Sequence, residues 1–253
     1  MIDSHCHLYT KEFDEDIEFV IDRAVAEGIT KMYLPAIDSS CTQRMFEVEN
    51  KFPTRCFAMA GLHPCSVKEN FEEELLHVEQ LLQKRKFSGI GETGLDFYWD
   101  KTFIPQQYIA LERQIAFALQ YDLPLILHTR KATQETIDVI KKYTDTGLRG
   151  IFHCFGGTLH QAEQITELKF FLGIGGVITY KNAGLAEVLQ QVDISNIVLE
   201  TDAPYLSPVP MRGKRNESAY LKYIVEKIAL VKGISVDEVK NTTTKNAEKI
   251  FGT

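Results

Sequence analysis

The sequence predicts an α/β fold, a single (β/α)₈ TIM barrel spanning residues 1–253. Three observations predict it. Eight short β-like runs recur along the chain, helical segments separate them, and histidines and carboxylates fall at the C-terminal ends of the runs. Alternating strand and helix imply parallel strands with right-handed crossovers. A barrel of about 250 residues runs as one domain. No linker or low-complexity tract divides the chain. An open doubly wound sheet is the competing fold, but no G-x-G-x-x-G follows the first run.

The predicted strands are Met1–His7, Lys31–Ile37, Arg55–His63, Ser88–Leu95, Pro124–Thr129, Gly150–Phe155, Phe170–Val177 and Asn196–Thr201. Between the first two, Ile17, Val20, Ile21, Ala24 and Val25 follow the spacing of an amphipathic helix. Pro105 suits a first helical turn, and Tyr108, Leu111, Ile115 and Ala118 continue that helix's apolar stripe. His77 and His160 fall within predicted helices and read as surface or structural residues. After the eighth strand come a basic loop and two closing helices, the last opened by a Ser235/Glu238 capping box.

Composition bounds the rest. With 44% hydrophobic residues the chain can bury a sizeable core, and no apolar run approaches the roughly 18 residues of a membrane span. The N-terminus reads as no secretory signal. Five cysteines without a C-x-x-C pair suggest reduced thiols in the cytoplasm. The net charge of −7 argues against nonspecific coating of long duplex nucleic acid. It leaves room for a phosphate at a local basic site.

His5 and His7 end the first predicted strand, His63 the third, Glu92 the fourth, His128 the fifth, His153 the sixth, and Glu200 and Asp202 the eighth. In a parallel barrel these ends open on one face, where barrel active sites lie. Alternation puts His5 and His7 on one side of their strand, with Asp3 inward beneath them and Cys6 outward. Glu200 reads as a buried partner for a basic group. Four imidazoles and two carboxylates converging unpaired would be costly, and a metal centre removes that cost. His5, His7, Glu92, His128, His153 and Asp202 are too many ligands for one tetrahedral zinc. They suit two divalent ions about 4 Å apart. His5, His7 and Asp202 are assigned to one ion, His128 and His153 to the other, with Glu92 bridging. Zn²⁺, Mn²⁺, Fe²⁺ and Mg²⁺ all fit such a mixed set.

Two divalent ions against two carboxylates leave a net positive site that attracts an anion. Arg130 follows His128 by two residues. The loop Met211–Glu217 adds Arg212, Lys214 and Arg215. Guanidinium groups match phosphate oxygens, so these four are the expected substrate-binding residues, for a substrate that carries phosphate. No membrane and no obligate protein partner is implied.

At this point the chain resembles the TatD family of metal-dependent deoxyribonucleases, within the amidohydrolase-like barrels. The resemblance rests on Asp3-Ser4-His5-Cys6-His7, Gly61-Leu62-His63-Pro64, Gly91-Glu92-Thr93-Gly94-Leu95-Asp96, His128-Thr129-Arg130, His153-Cys154-Phe155, Glu200-Thr201-Asp202-Ala203-Pro204 and Arg212-Gly213-Lys214-Arg215-Asn216-Glu217. It implies the same six metal ligands, and makes His63 an active-site histidine near the substrate phosphate. It also implies 3′→5′ exonuclease activity on single-stranded ends, whereas the residues alone imply only phosphoester hydrolysis. Asp202, His63 and Glu92 are the expected catalytic residues. Asp202 orients the attacking water or takes its proton, and His63 stabilises developing charge or protonates the leaving oxygen. Lys131, Gly156 and Ser218 depart from the family pattern, where Asp, Ser and Pro are common. Two alternatives stay open. One is an ester or amide hydrolase, such as an aminoacyl-tRNA deacylase or small-molecule amidohydrolase, because such a centre also attacks carbonyls. The other is a non-catalytic binding protein on a barrel scaffold.

Overall fold

A computed structural model describes residues 1–252. All eight predicted strands are present, in register-parallel ladders: β1 Ile2–Asp3, β2 Lys31–Leu34, β3 Cys56–Ala58, β4 Ile90–Asp96, β5 Leu125–Arg130, β6 Gly150–Phe152, β7 Phe171–Ile174 and β8 Ile197–Leu199. The ladders form a β1-β2-β3 sheet and a β4-β5-β6-β7-β8 sheet. Backbone bonds join them at both seams. Ala60 bridges Ile90, with Gly91 N–H donating to Ala60 O at 2.8 Å. On the other side Ser4 N–H donates to Leu199 O at 2.9 Å. The result is a closed barrel whose strand ends share one mouth.

The helices are α1 Ile17–Ala26, α2 Thr42–Lys51, α3 Phe71–Lys84, α4 Ile104–Tyr121, α5 Thr133–Lys141, α6 Leu159–Glu167, α7 Leu185–Gln191, α8 Leu221–Lys232 and α9 Val236–Phe251. Val20, Ile21 and Ala24 bury the inner face of α1, while Val25 turns outward. Pro105 lies in the first turn of α4, and Leu111, Ile115 and Ala118 are buried as the spacing predicts. Ser235 caps α9 by accepting from Glu238 N–H, while a complete reciprocal capping box opens α6 at Thr158 and Gln161.

Two apolar layers follow from the alternation of strand side chains. Met32, Leu34, Ala58, Leu127, Phe152 and Leu199 pack outward against the helices. Tyr33, Met59, Ile126, Ile151, Phe171 and Val198 fill the barrel's interior with Ala247 and Ile250 of α9. Phe251 stacks on Tyr33 at 3.6 Å. The interior is therefore plugged at the end away from the mouth, and only the mouth is polar.

Two strands break the alternation. Asp3 pairs with the outward Met32 and accepts hydrogen bonds from Thr201 and Ser218, so it faces the helices and not the interior as expected. A bend at Ser4 resets the phase and turns His5 inward. In β4 the register slips between Ile90 and Thr93. Ile90 belongs to the outer layer, and Thr93 also faces outward, accepting from Gln114 of α4 at 2.7 Å. The bulge between them re-aims Glu92 into the barrel.

Candidate metal centre

The imidazoles reach the mouth from strand ends; His7, His128 and His153 each have a partner behind the ring, whereas the buried Nδ1 of His5 has none among the described residues. Tyr9 donates its hydroxyl to Pro35 O at 2.6 Å, so its oxygen accepts from His7 Nδ1–H at 2.9 Å. Once the ring is neutral, that leaves the Nε2 lone pair of His7 facing forward. His128 contacts Asp96 Oδ2 through Nε2 at 2.8 Å and Glu92 Oε1 through Nδ1 at 3.0 Å. Ligation through Nδ1 requires the proton on Nε2, where Asp96 accepts it. Behind His153, Glu200 Oε1 lies 3.0 Å from Nδ1, in a charge contact too bent to be a hydrogen bond. Glu200 is itself held by Cys154 N–H at 2.6 Å. Its carboxylate occupies the space that a side chain at residue 173 would fill, so Gly173 is required there.

Glu92 is the centre of the cluster. Its Oε2 lies 3.1 Å from His5 Nε2 and 3.5 Å from His7 Nε2. Its Oε1 faces His128 at 3.0 Å, His63 at 3.4 Å and His153 at 3.9 Å. Asp202 Oδ1 lies 3.6 to 3.7 Å from the Nε2 atoms of His7, His5 and His153. All six expected ligands thus converge. Their grouping differs in one respect from the expectation. His153 stacks on His5, ring centroids 3.4 Å apart, and can share a ligand position with His5 and Asp202 as well as facing the His128 side.

His63 also reaches the cluster, but in a different state. Its Nδ1 accepts a hydrogen bond from Cys65 N–H at 3.0 Å. The neutral ring therefore carries its proton on Nε2, the atom aimed at Glu92. A ring so held is a donor, whereas a ligand needs a lone pair at that nitrogen.

The electrostatics fit a cation. Burial alone favours neutral rings, and it lowers His5 to about 4 and depresses His63. At His7 burial is outweighed by Asp202 and Glu92, and the pKa rises to about 9. At His153 burial is outweighed by Glu200 and Glu92, and the pKa rises to about 10. His128 rises as well, burial yielding to Asp96 and Glu92. Burial opposes ionisation of Glu92 and Asp202, yet the surrounding imidazoles hold both below the usual carboxylate range. Two carboxylates stay ionised among buried rings, and His5 Nε2 and His7 Nε2 point at each other across 3.2 Å. A bound cation suits that donor set.

The four expected substrate cations lie at the end of β5 and in the loop after β8. Arg130 is exposed and lies over the rings of Tyr98 and Trp99, at 4.0 and 5.0 Å. Arg212 is exposed and lies over Tyr180 at 4.1 Å. Lys214 is exposed. Arg215 is committed elsewhere: it pairs with Asp16 at 2.7 and 2.8 Å and lies on Phe13. Of the departures from the family pattern, Ser218 donates to Asp3 Oδ2 at 2.7 Å, which proline could not do.

Asp96 and Tyr9 were not singled out from sequence. For Asp96 the signal was parity, because it is two alternations beyond Glu92 in β4, whereas Tyr9 lies in a turn, where alternation gives none.

Known proteins similar to this chain identify its family. The family described as TatD related DNase matches residues 2–252. The chain is 36% identical over 252 residues to an uncharacterized metal-dependent hydrolase, YabD of Bacillus subtilis strain 168, covering 99% of this chain and 98% of that one. It is 31% identical over 257 residues to a protein of Erwinia tasmaniensis named 3′-5′ ssDNA/RNA exonuclease TatD, covering 99% of each. The crystal structure of YjjV, a TatD homologue from Escherichia coli K12, superposes with a TM-score of 0.94 at 28% identity, covering 100% of this chain and 98% of that one. With the fold, the ligand-type residues and the full-length match in agreement, the chain belongs to the TatD-related DNase family of metal-dependent hydrolases.

Proposed function

We propose that the protein is a divalent-metal-dependent phosphodiesterase acting on DNA, removing nucleotides from the 3′ ends of single strands. The observation that carries the reading is the divided carboxylate of Glu92, one oxygen facing His5 and His7 and the other facing His128 and His153. Such a bridge suits two ions, with Asp202 completing the set and His153 placed between the two sides. Bound divalent ions supply Lewis acidity and lower the pKa of water.

The chain's own residues do the rest. Asp202, ionised and only partly buried, accepts the attacking water's proton at its carboxylate. His63 presents Nε2–H to the phosphate or the leaving oxygen. Arg130, Arg212 and Lys214 hold flanking phosphates, while Arg215 positions the loop through Asp16. The Erwinia relative's name supports nucleic acid as the substrate. Five unpaired thiols suit the reducing cytoplasm.

The test is a screen of metal-reconstituted protein on single-stranded DNA labelled at either end, beside an acyl ester. Stepwise shortening from the 3′ end, stopped by chelator, is the expected result. Ester hydrolysis without DNA cleavage would move the assignment to a deacylase or amidohydrolase.

A further inference from the structure

The mouth carries aromatic surface that metal-centred hydrolysis does not need. Trp99, the chain's single tryptophan, is 65% exposed, and Tyr98 beside it is 48% exposed. They stand edge to face, centroids 4.9 Å apart, under the planar guanidinium of Arg130. No described residue accepts a hydrogen bond from that guanidinium. The cluster is tied to the metal centre by one carboxylate. Asp96 Oδ1 accepts from the backbone N–H of both Tyr98 and Trp99 at 2.9 Å, and Asp96 Oδ2 backs His128. Across the mouth, on the loop after β8, Tyr205 is 50% exposed and meets His7 edge-on at 6.3 Å.

We propose that Tyr98, Trp99 and Arg130 form a stacking platform for an unpaired nucleobase beside the scissile phosphate. The proposal rests on the nuclease reading above and extends it to how the strand is held. An exposed indole offers a flat apolar face of the kind on which bases stack, and every base has a matching π-face. A free guanidinium edge on the same platform suits the adjoining phosphate. Apolar face and positive edge together match a nucleotide, and their connection through Asp96 places it next to the cluster. The faces of bases inside a duplex are covered by their neighbours, so the platform selects unpaired ends.

The single tryptophan makes the test direct. The metal-loaded protein is titrated with a short thymidine strand of uncleavable backbone and with an abasic strand of equal charge. Indole fluorescence should be quenched by the thymidine strand and little by the abasic one. Trp99→Ala, followed by anisotropy of labelled strands, should weaken thymidine-strand binding about ten- to a hundredfold. It should leave abasic binding in place and the melting temperature unchanged. Trp99→Phe, which keeps a π-face, should restore most of the loss. Equal quenching by both strands, equal quenching by a duplex, or parallel loss of both affinities in Trp99→Ala would overturn the platform. The two readings fail separately. Cleavage of DNA without base discrimination overturns the platform and spares the nuclease. Discrimination without cleavage of any phosphodiester overturns the nuclease and leaves a single-strand binding site.

Discussion

A histidine can ligate only through a nitrogen that carries no proton, so what lies behind each ring decides what its front can do. His7, His128 and His153 are backed by Tyr9, Asp96 and Glu200, and His63 is backed by a donor. Asp96→Asn keeps the shape of that support and removes its charge. It should weaken metal affinity about 10- to 100-fold, measured by competition with a chelator. Unchanged affinity would remove Asp96 from the account. Protons provide a second test. His7 and His153, raised to about 9 and 10, are protonated near neutrality and must be neutral to ligate. Metal binding near pH 7.5 should therefore release protons, about two per chain. Affinity should rise as pH climbs toward 9, because fewer protons compete. Titration calorimetry in buffers of different ionisation enthalpy reads this directly, and buffer-independent heats would contradict it. At this scale the convergence of these side chains was legible because His, Glu and Asp fall at the ends of successive strands. Which nitrogen faces forward was not legible, because it depends on partners such as Pro35 O and Cys65 N–H that only the fold supplies.

Elements supply the aim. Regular alternation carries Ile126 to His128, Ile151 to His153, and Val198 to Glu200 and Asp202, so period-two reading of β5, β6 and β8 identified the inward positions. It failed at Asp3, because the bend at Ser4 shifts the phase in β1. The bulge in β4 does the same for Glu92. Neither break leaves a mark in local composition. Several strands are also shorter than predicted: β1 ends at Asp3 and β6 at Phe152, since the ligand-bearing residues leave the ladder to reach the mouth. Packing between elements gives a sharper prediction. A Cβ at Gly173 would lie 2.2 Å from Glu200 Oε2, whereas one at Gly156 would meet only Cys154 O, at an ordinary contact of 4.0 Å. Gly173→Ala should destabilise the fold by about 1–3 kcal/mol and weaken metal binding by displacing the carboxylate behind His153. Gly156→Ala should change stability by less than about 0.5 kcal/mol. Thermal unfolding and metal content of the two variants decide it. A silent Gly173→Ala would show that Glu200 does not need that space.

The molecule is a barrel sealed at one end by α9 and open at the other, and among the described residues no helix is long and apolar enough to cross a membrane. Its net charge is −7, yet exposed Arg130 ends β5, and exposed Arg212 and Lys214 lie on the loop that follows β8. An acidic surface with a cationic mouth favours a local phosphate over the length of a duplex. Eight strands and their order were legible because each run is short, apolar and separated by a helix. Closure was legible from the eightfold count, but the particular seams were not, because they depend on backbone bonds such as Ser4 to Leu199, made between residues far apart in sequence. On the proposed reading a single carboxylate from β4, that of Glu92, would join two metal positions. Elemental analysis of the reconstituted protein after exhaustive dialysis tests it. Wild type should retain two ions per chain. Glu92→Ala, still folded by its melting curve, should lose both together, and His128→Ala should lose chiefly one. Two tightly held ions in Glu92→Ala would contradict the claim.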